Sequence, residues 1–279
     1  MQLTIDGVPF LLRSPQAFPW LSTYGRCFYV YDKMVSGNIG FCMDGPYGKL
    51  FVKYAGAETL NYCGRVRDAV MTLKNAMPLY LPKREHMVNL LAHGDAGEGY
   101  AAVFRFEDGV PLHGAPADPC ILERLRHLPA QTKLRMLDGL FELSAEFAMD
   151  GLMPFDFGPD NIIVNFDVGS ATLCDVDLYR PFPLLNDRGR MPGLPRYLAP
   201  EEYRMGATLD GATTVYRMGA LAFDFFGQGH ERGQNNWCGP KALYQVAERA
   251  VSEERVRRFS SAERFLKAWR DAVGKVRII

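Results

Sequence analysis

Between Asp156 and Asp177 the chain reads DFGPDNIIVNFDVGSATLCDVD, two apolar runs framed by acids and turn formers. Ile162-Ile163-Val164 has the β-branched composition of a buried strand, Ala171-Thr172-Leu173-Cys174 that of its partner, and Asn165 to Ser170 supplies the turn. A hairpin of this kind brings Asp156 and Asn161, before its first strand, to the same end as Asp175 and Asp177, after its second. Three carboxylates and an amide would then converge. Such hard oxygen ligands suit Mg²⁺, which takes one or two protein carboxylates and completes its shell with water and substrate phosphate. The stretch therefore predicts a phosphate-and-metal site.

The remaining composition bounds what can surround that site. At 279 residues and 48% hydrophobic content, the chain can bury one large core or two lobes. Its formal net charge is zero, so no basic surplus points to nucleic acid. No window approaches the roughly 18 apolar residues of a membrane span, and the N-terminus lacks a basic region followed by a long apolar run. The expectation is a soluble cytoplasmic protein with neither membrane nor nucleic acid among its partners. The cysteines at 27, 42, 63, 120, 174 and 238 form no C-x-x-C pair and read as reduced core thiols.

The first third reads as β structure. Cys27 to Asp32, Phe41 to Met43 and Lys49 to Tyr54 are candidate strands, separated by Ser36-Gly37-Asn38-Ile39-Gly40 and by Asp44-Gly45-Pro46-Tyr47-Gly48. Lys53 interrupts the third apolar run, and by itself reads most simply as a solvent-facing alternate position. Val66, Val70, Leu73 and Met77 recur at helical spacing, with Pro78 ending the helix. Further strands are expected beyond His86 to Leu91 and at Tyr100 to Phe106. The chain then turns helical. A long helix is expected from Gln131 to Met149, an apolar one from Thr214 to Phe226, another from Pro240 to about Val251, and a last one capped by Ser260 with Glu263.

In order and spacing these motifs resemble the protein-kinase superfamily, over about residues 27 to 273. D-F-G-P-D-N-I-I-V resembles its catalytic loop, where an Asp orients the substrate hydroxyl and an Asn five residues on holds metal. Asp175-Val176-Asp177 falls where the family has Asp-Phe-Gly. Phe51-Val52-Lys53 is similar to the end of V-A-I-K, and Gly193 to Glu201 (GLPRYLAPE) to the close of an activation segment. In the family that Glu pairs with an Arg near the carboxyl end, and Arg258-Phe259-Ser260 resembles its R-P-S element. Thr214 to Gly219 looks like D-V-Y-S-L-G of the central C-lobe helix.

The resemblance implies an α+β bilobal fold, with a β-rich N-lobe over residues 1–105 and a mainly helical C-lobe over 106–279. It implies ATP and Mg²⁺ as cofactors and a protein or small-molecule hydroxyl as substrate. Asp156 and Lys53 would be catalytic. Asn161, Asp175 and Asp177 would hold metal. Ser36, Gly37, Asn38, Gly40, Lys53 and Phe106 would contact nucleotide, Phe106 at the hinge. Among bacterial proteins, small kinase-like chains share the D-[IV]-D motif.

Several positions depart from the pattern. Pro154-Phe155-Asp156 replaces H-R-D, Thr214 replaces an Asp that braces the catalytic loop, and Leu178 to Arg196 contains no Ser or Thr to phosphorylate. The helix has no central Glu for Lys53, leaving Glu58 or Asp68 as its nearest acids. Two other readings stay open: an aminoglycoside-type small-molecule kinase, and a pseudokinase binding nucleotide or a partner without catalysis.

Overall fold

The computed structural model describes residues 1–113, 120–228 and 232–276. The protein is α+β, with a β-rich N-terminal region and a helical C-terminal one. It divides into two units, Met1–Arg84 with Val88–Asp108, and Glu85–Met87 with Gly109–Ile279.

The first unit opens on a hairpin that the sequence expectations omit. Strands β1 (Gln2–Ile5) and β2 (Val8–Leu11) pair antiparallel about Asp6 and Gly7, whose φ angles are 51° and 86°. Two successive positive φ values make the turn that matches strand twist, and Asp-Gly is one of the few dipeptides that tolerates both. Five further strands follow, β3 (Arg26–Tyr31), β4 (Asn38–Gly45) and β5 (Gly48–Ala55), then β6 (Leu90–Ala96) and β7 (Gly99–Arg105), with helix α1 (Val66–Tyr80) between β5 and β6. They form one antiparallel sheet in the order β3-β4-β5-β7-β6.

Alternation along β5 sorts its side chains. Leu50, Val52 and Tyr54 join Phe41, Phe10 and Phe18 in an aromatic-rich core, with the Phe18 and Phe41 rings 5.0 Å apart. Phe51 and Lys53 occupy the other face, together with Ala102 and Phe104 across the ladder. That face is covered by α1, which packs on β5 and β7 and sets Tyr80 edge-on to Phe104. Lys53 is consequently 2% exposed, which corrects the solvent-facing reading. Pro78 does not end α1. It lies in the last turn, where its missing N–H removes a single backbone bond, and the helix continues to Tyr80.

The second unit contains β8 (Val110–Pro111), α2 (Ile121–His127), α3 (Ala130–Met149), β9 (Leu152–Met153), β10 (Ile162–Asn165), β11 (Ser170–Leu173), β12 (Arg180–Pro181), β13 (Leu184–Leu185) and β14 (Thr208–Leu209). Helices α4 (Gly211–Phe226), α5 (Lys241–Ala250) and α6 (Ala262–Val276) complete it. α4 is buried nearly all round and packs against α3, α5 and α6. Phe141 of α3 meets Phe265 and Trp269 of α6 at 5.0 and 5.3 Å. Mid-helix Gly139 is explained by His86, whose ring would lie 2.3 Å from any Cβ there.

The start of α6 differs from expectation: Arg264 N–H bonds to Ser261 Oγ at 3.3 Å, so Ser261, not Ser260, serves the first turn. Only Cys27 and Cys42 are core thiols, for Cys63, Cys120 and Cys238 are exposed and Cys174 is half-buried. No helix among the described residues is long and apolar enough to cross a membrane.

Candidate functional site

The loop before β10 is shaped by its own anchors. Phe155 and Phe157 are buried at 2% and 0% exposure, and Asp156 between them turns to φ 61°. Asp accepts the left-handed region more readily than most side chains, and a non-glycine residue held there is a common mark of a functional site. Gly158 follows, with the Tyr197 ring 3.8 Å from where a Cβ would stand, an ordinary contact. Pro159 to Asn161 then makes one 3-10 turn and leads into β10.

Asn161 joins the parts. Its Nδ2 donates to the Asp156 carbonyl at 2.8 Å and to Asp156 Oδ2 at 3.1 Å. Its own carbonyl accepts from Cys174 N–H at 2.8 Å, bringing Asp175 to the same end of the β10–β11 hairpin. Because the amide nitrogen faces Asp156, Oδ1 is the atom that Asn161 has to offer a cation. Asp177 N–H donates to Asp175 Oδ1 at 2.9 Å, an Asx turn that sets the chain's direction after the hairpin.

Among the described residues no group of three or more His, Cys, Asp or Glu side chains is arranged to hold a metal ion. Asp156 is tied to Asn161, and Asp175 accepts from the backbone N–H of Asp177. The pair Asn161 and Asp175 still fits Mg²⁺, which needs few protein oxygens when phosphate supplies others.

The electrostatics centre on Asp156. Burial pushes its carboxyl up to about 6, and nearby Asp175 adds to the rise, while Arg217 and the Asn161 hydrogen bond oppose it. Arg217 is a residue that sequence reasoning missed. It stands on α4 with no exposed surface, and its Nη2 donates to Glu202 Oε1 at 2.5 Å and to the Pro192 carbonyl at 3.1 Å. Among the described residues its Nη1 has no hydrogen-bond partner, and a Cβ built on Gly193 would meet Nη1 at 3.1 Å and Asp156 Oδ1 at 3.2 Å. Gly193, at φ 122°, thus lets the arginine and the aspartate approach. The one available signal was an arginine inside an otherwise apolar helix.

Two more acids lock the segment beneath the loop. Glu201 takes Arg258 Nη1 at 2.7 Å and Nη2 at 3.1 Å, the pair that the motif order predicts, and accepts from Thr213 Oγ1 at 2.8 Å. Asp224 of α4 accepts from Arg196 and from Tyr197, the residue beneath Gly158.

In the first unit, Lys53 lies directly across from Gly40 on β4 and Ala102 on β7, so small residues flank it on both sides. Gly40 has no Cβ because the Phe51 ring would stand 2.6 Å away. Gly37, at φ 83°, abuts Tyr62 and Ala69 of α1 where a Cβ would go, so packing accounts for that glycine. Ser36 is exposed in the turn, whereas Asn38 is buried and already begins β4. The N–H of Phe106 bonds to the Lys49 carbonyl at 3.2 Å, and its ring meets Phe28 edge-on. Of the two acids weighed for Lys53, Asp68 is gripped by Arg65 at 2.8 and 3.1 Å and Glu58 is exposed.

No protein-family model matches the chain, and comparison with curated proteins gives no match.

Proposed function

We propose that the protein is a phosphotransferase of the protein-kinase type, passing the γ-phosphoryl group of Mg·ATP to a Ser- or Thr-like hydroxyl. The observation that carries the reading is the loop in which Asn161 holds Asp156 in a left-handed conformation while the hairpin brings Asp175 alongside. Mg·ATP would supply an activated phosphoryl group whose transfer depends on positioning and charge stabilisation. The ammonium of Lys53 would hold the α- and β-phosphates. Asn161 Oδ1 and Asp175 would hold the cation. Asp156 would orient the acceptor hydroxyl and take its proton, a task suited to a carboxylate poised at about 6. The Glu201–Arg258 pair and the single helix after the third sheet strand agree with the same family pattern.

Calorimetry tests the reading. ATP should bind only with Mg²⁺, and both Lys53→Ala and Asp175→Ala should weaken it. Absence of binding in every condition would overturn the proposal in favour of a partner-binding role without catalysis. The replacement of H-R-D by Pro154-Phe155-Asp156 is the observation that favours this second reading.

A further inference from the structure

The turn Asn186 to Arg190 is built as a platform. Buried Asn186 donates to the Gly189 carbonyl at 2.7 Å and accepts from Arg188 N–H at 3.0 Å. Its backbone also binds that of Ala207 and Gly206, which draws Tyr203 to Met205 against the turn. The surface so assembled carries three exposed apolar side chains, Leu185 at 62%, Tyr203 at 44% and Met205 at 67% exposure. Around them stand Arg188, Arg190 and Arg204, all exposed. Asp187 lies 3.7 Å from Arg188 and 3.8 Å from Arg180. Among the described residues, neither Arg190 nor Arg204 has a carboxylate partner, and the two other acids of the segment, Glu201 and Glu202, are buried on Arg258 and Arg217.

The surface is also continuous with the candidate site. Arg190 Nη2 donates to the Gly193 carbonyl at 3.0 Å, and Gly193 is the residue whose Cβ would stand 3.2 Å from Asp156 Oδ1. Those steps separate Arg190 from Asp156 by on the order of 10 Å, the length of about three extended residues.

From this geometry we infer that the surface docks an acidic polypeptide segment, with an apolar side chain on Leu185, Tyr203 and Met205 and acidic ones on Arg190 and Arg204. The inference rests on the phosphotransferase reading, whose substrate class it names: a Ser or Thr with Asp or Glu about three positions away. Charge complementarity selects the partner. Uncompensated guanidinium groups favour carboxylates, which they bind in two-point fashion, and repel basic segments. An exposed apolar patch rimmed by charge marks a protein-docking surface.

Fluorescence anisotropy tests the inference with three probes: a labelled peptide bearing a central Ser, Glu at the flanking positions and one Leu; the same peptide with Lys for Glu; and phosphatidylserine vesicles. The acidic peptide should bind and the basic one should not. The double substitution Arg190→Glu, Arg204→Glu should weaken binding about tenfold, and added salt should do the same. Both side chains are exposed, so far-UV circular dichroism should be unchanged, and so should Mg·ATP binding. Equal binding of both peptides, no peptide binding, or capture by vesicles alone would overturn the inference. Peptide binding without any Mg·ATP binding would leave the docking surface standing and remove the phosphotransferase reading instead.

Discussion

Glu201 and Arg258, 57 residues apart, form a two-point ion pair in which both side chains are almost wholly buried. The pair fastens the segment after the candidate site to the chain that leads into α6. Removing one partner strands a charge in the interior, so Arg258→Met should destabilise the protein by about 3–5 kcal/mol in urea unfolding. The double variant Glu201→Met, Arg258→Met should lose much less than the two single changes together. Burial would raise the Glu201 carboxyl, but the Arg258 guanidinium outweighs it and holds the group below its ordinary value. Its contribution is therefore fully present above the ordinary carboxylate range and lost as pH falls through the lowered value. Acid unfolding of the double variant should show a shallower dependence below about pH 4.

Thiol chemistry offers an independent check of the fold. Burial pushes Cys27 up to about 11 and Cys42 up to about 12, whereas Cys63, Cys120 and Cys238 are exposed. Since the thiolate is the reactive form, a disulfide reagent at pH 8 should modify the three exposed cysteines quickly and spare Cys27 and Cys42 until denaturant is added. Fast loss of all six thiols in native buffer would contradict the packing of the first unit.

The parts of the molecule legible in the sequence are those whose signal is local or whose partners lie in a recognisable order. The β10–β11 hairpin announces itself through branched residues about a turn, and Glu201 with Arg258 through two short motifs. The burial of Lys53 is not legible locally, because alternation tells which face a residue occupies, not what covers that face. Here α1 does, burying the lysine. Arg217 was invisible for a related reason. Its role depends on Glu202 and Gly193 meeting α4, and nothing local marks a contact across 15 or more residues. The hairpin at Asp6-Gly7 is the opposite case, a strong local turn signal that the sequence expectations omit.

Arg217 and Gly193 should prove inseparable from the shape of the Asp156 loop. Arg217→Met leaves Glu202 buried without its cation, a loss of about 3–5 kcal/mol. Gly193→Ala is the finer probe. Its Cβ would press on Arg217 Nη1 and Asp156 Oδ1 while holding a side chain at φ 122°, a strain of about 1–3 kcal/mol. We expect Gly193→Ala to reduce phosphoryl transfer with Mg·ATP affinity intact, as measured by calorimetry beside a single-turnover assay.

Asp156 itself sets opposite demands on stability and chemistry. Its carboxyl, pushed by burial up to about 6, binds a proton more tightly in the folded chain than in the unfolded one. The folded state is therefore penalised where the group is ionised, above about pH 6, and the penalty fades as pH falls toward the ordinary value of about 4. Asp156→Asn keeps an acceptor for Asn161 and removes the buried charge, so it should stabilise the protein by about 1–2 kcal/mol at pH 8, by about half as much at pH 5 and by little at pH 4. On the proposed function the same change removes the group assigned to take the hydroxyl proton, and it should slow transfer by about 10²- to 10⁴-fold. In the unsubstituted protein, kcat/KM should fall about tenfold per pH unit below about pH 6, where the carboxylate is lost. Paired urea titrations and pH–rate profiles decide the matter. A variant that loses activity without the pH 8 gain would show that Asp156 is not held at a cost to folding.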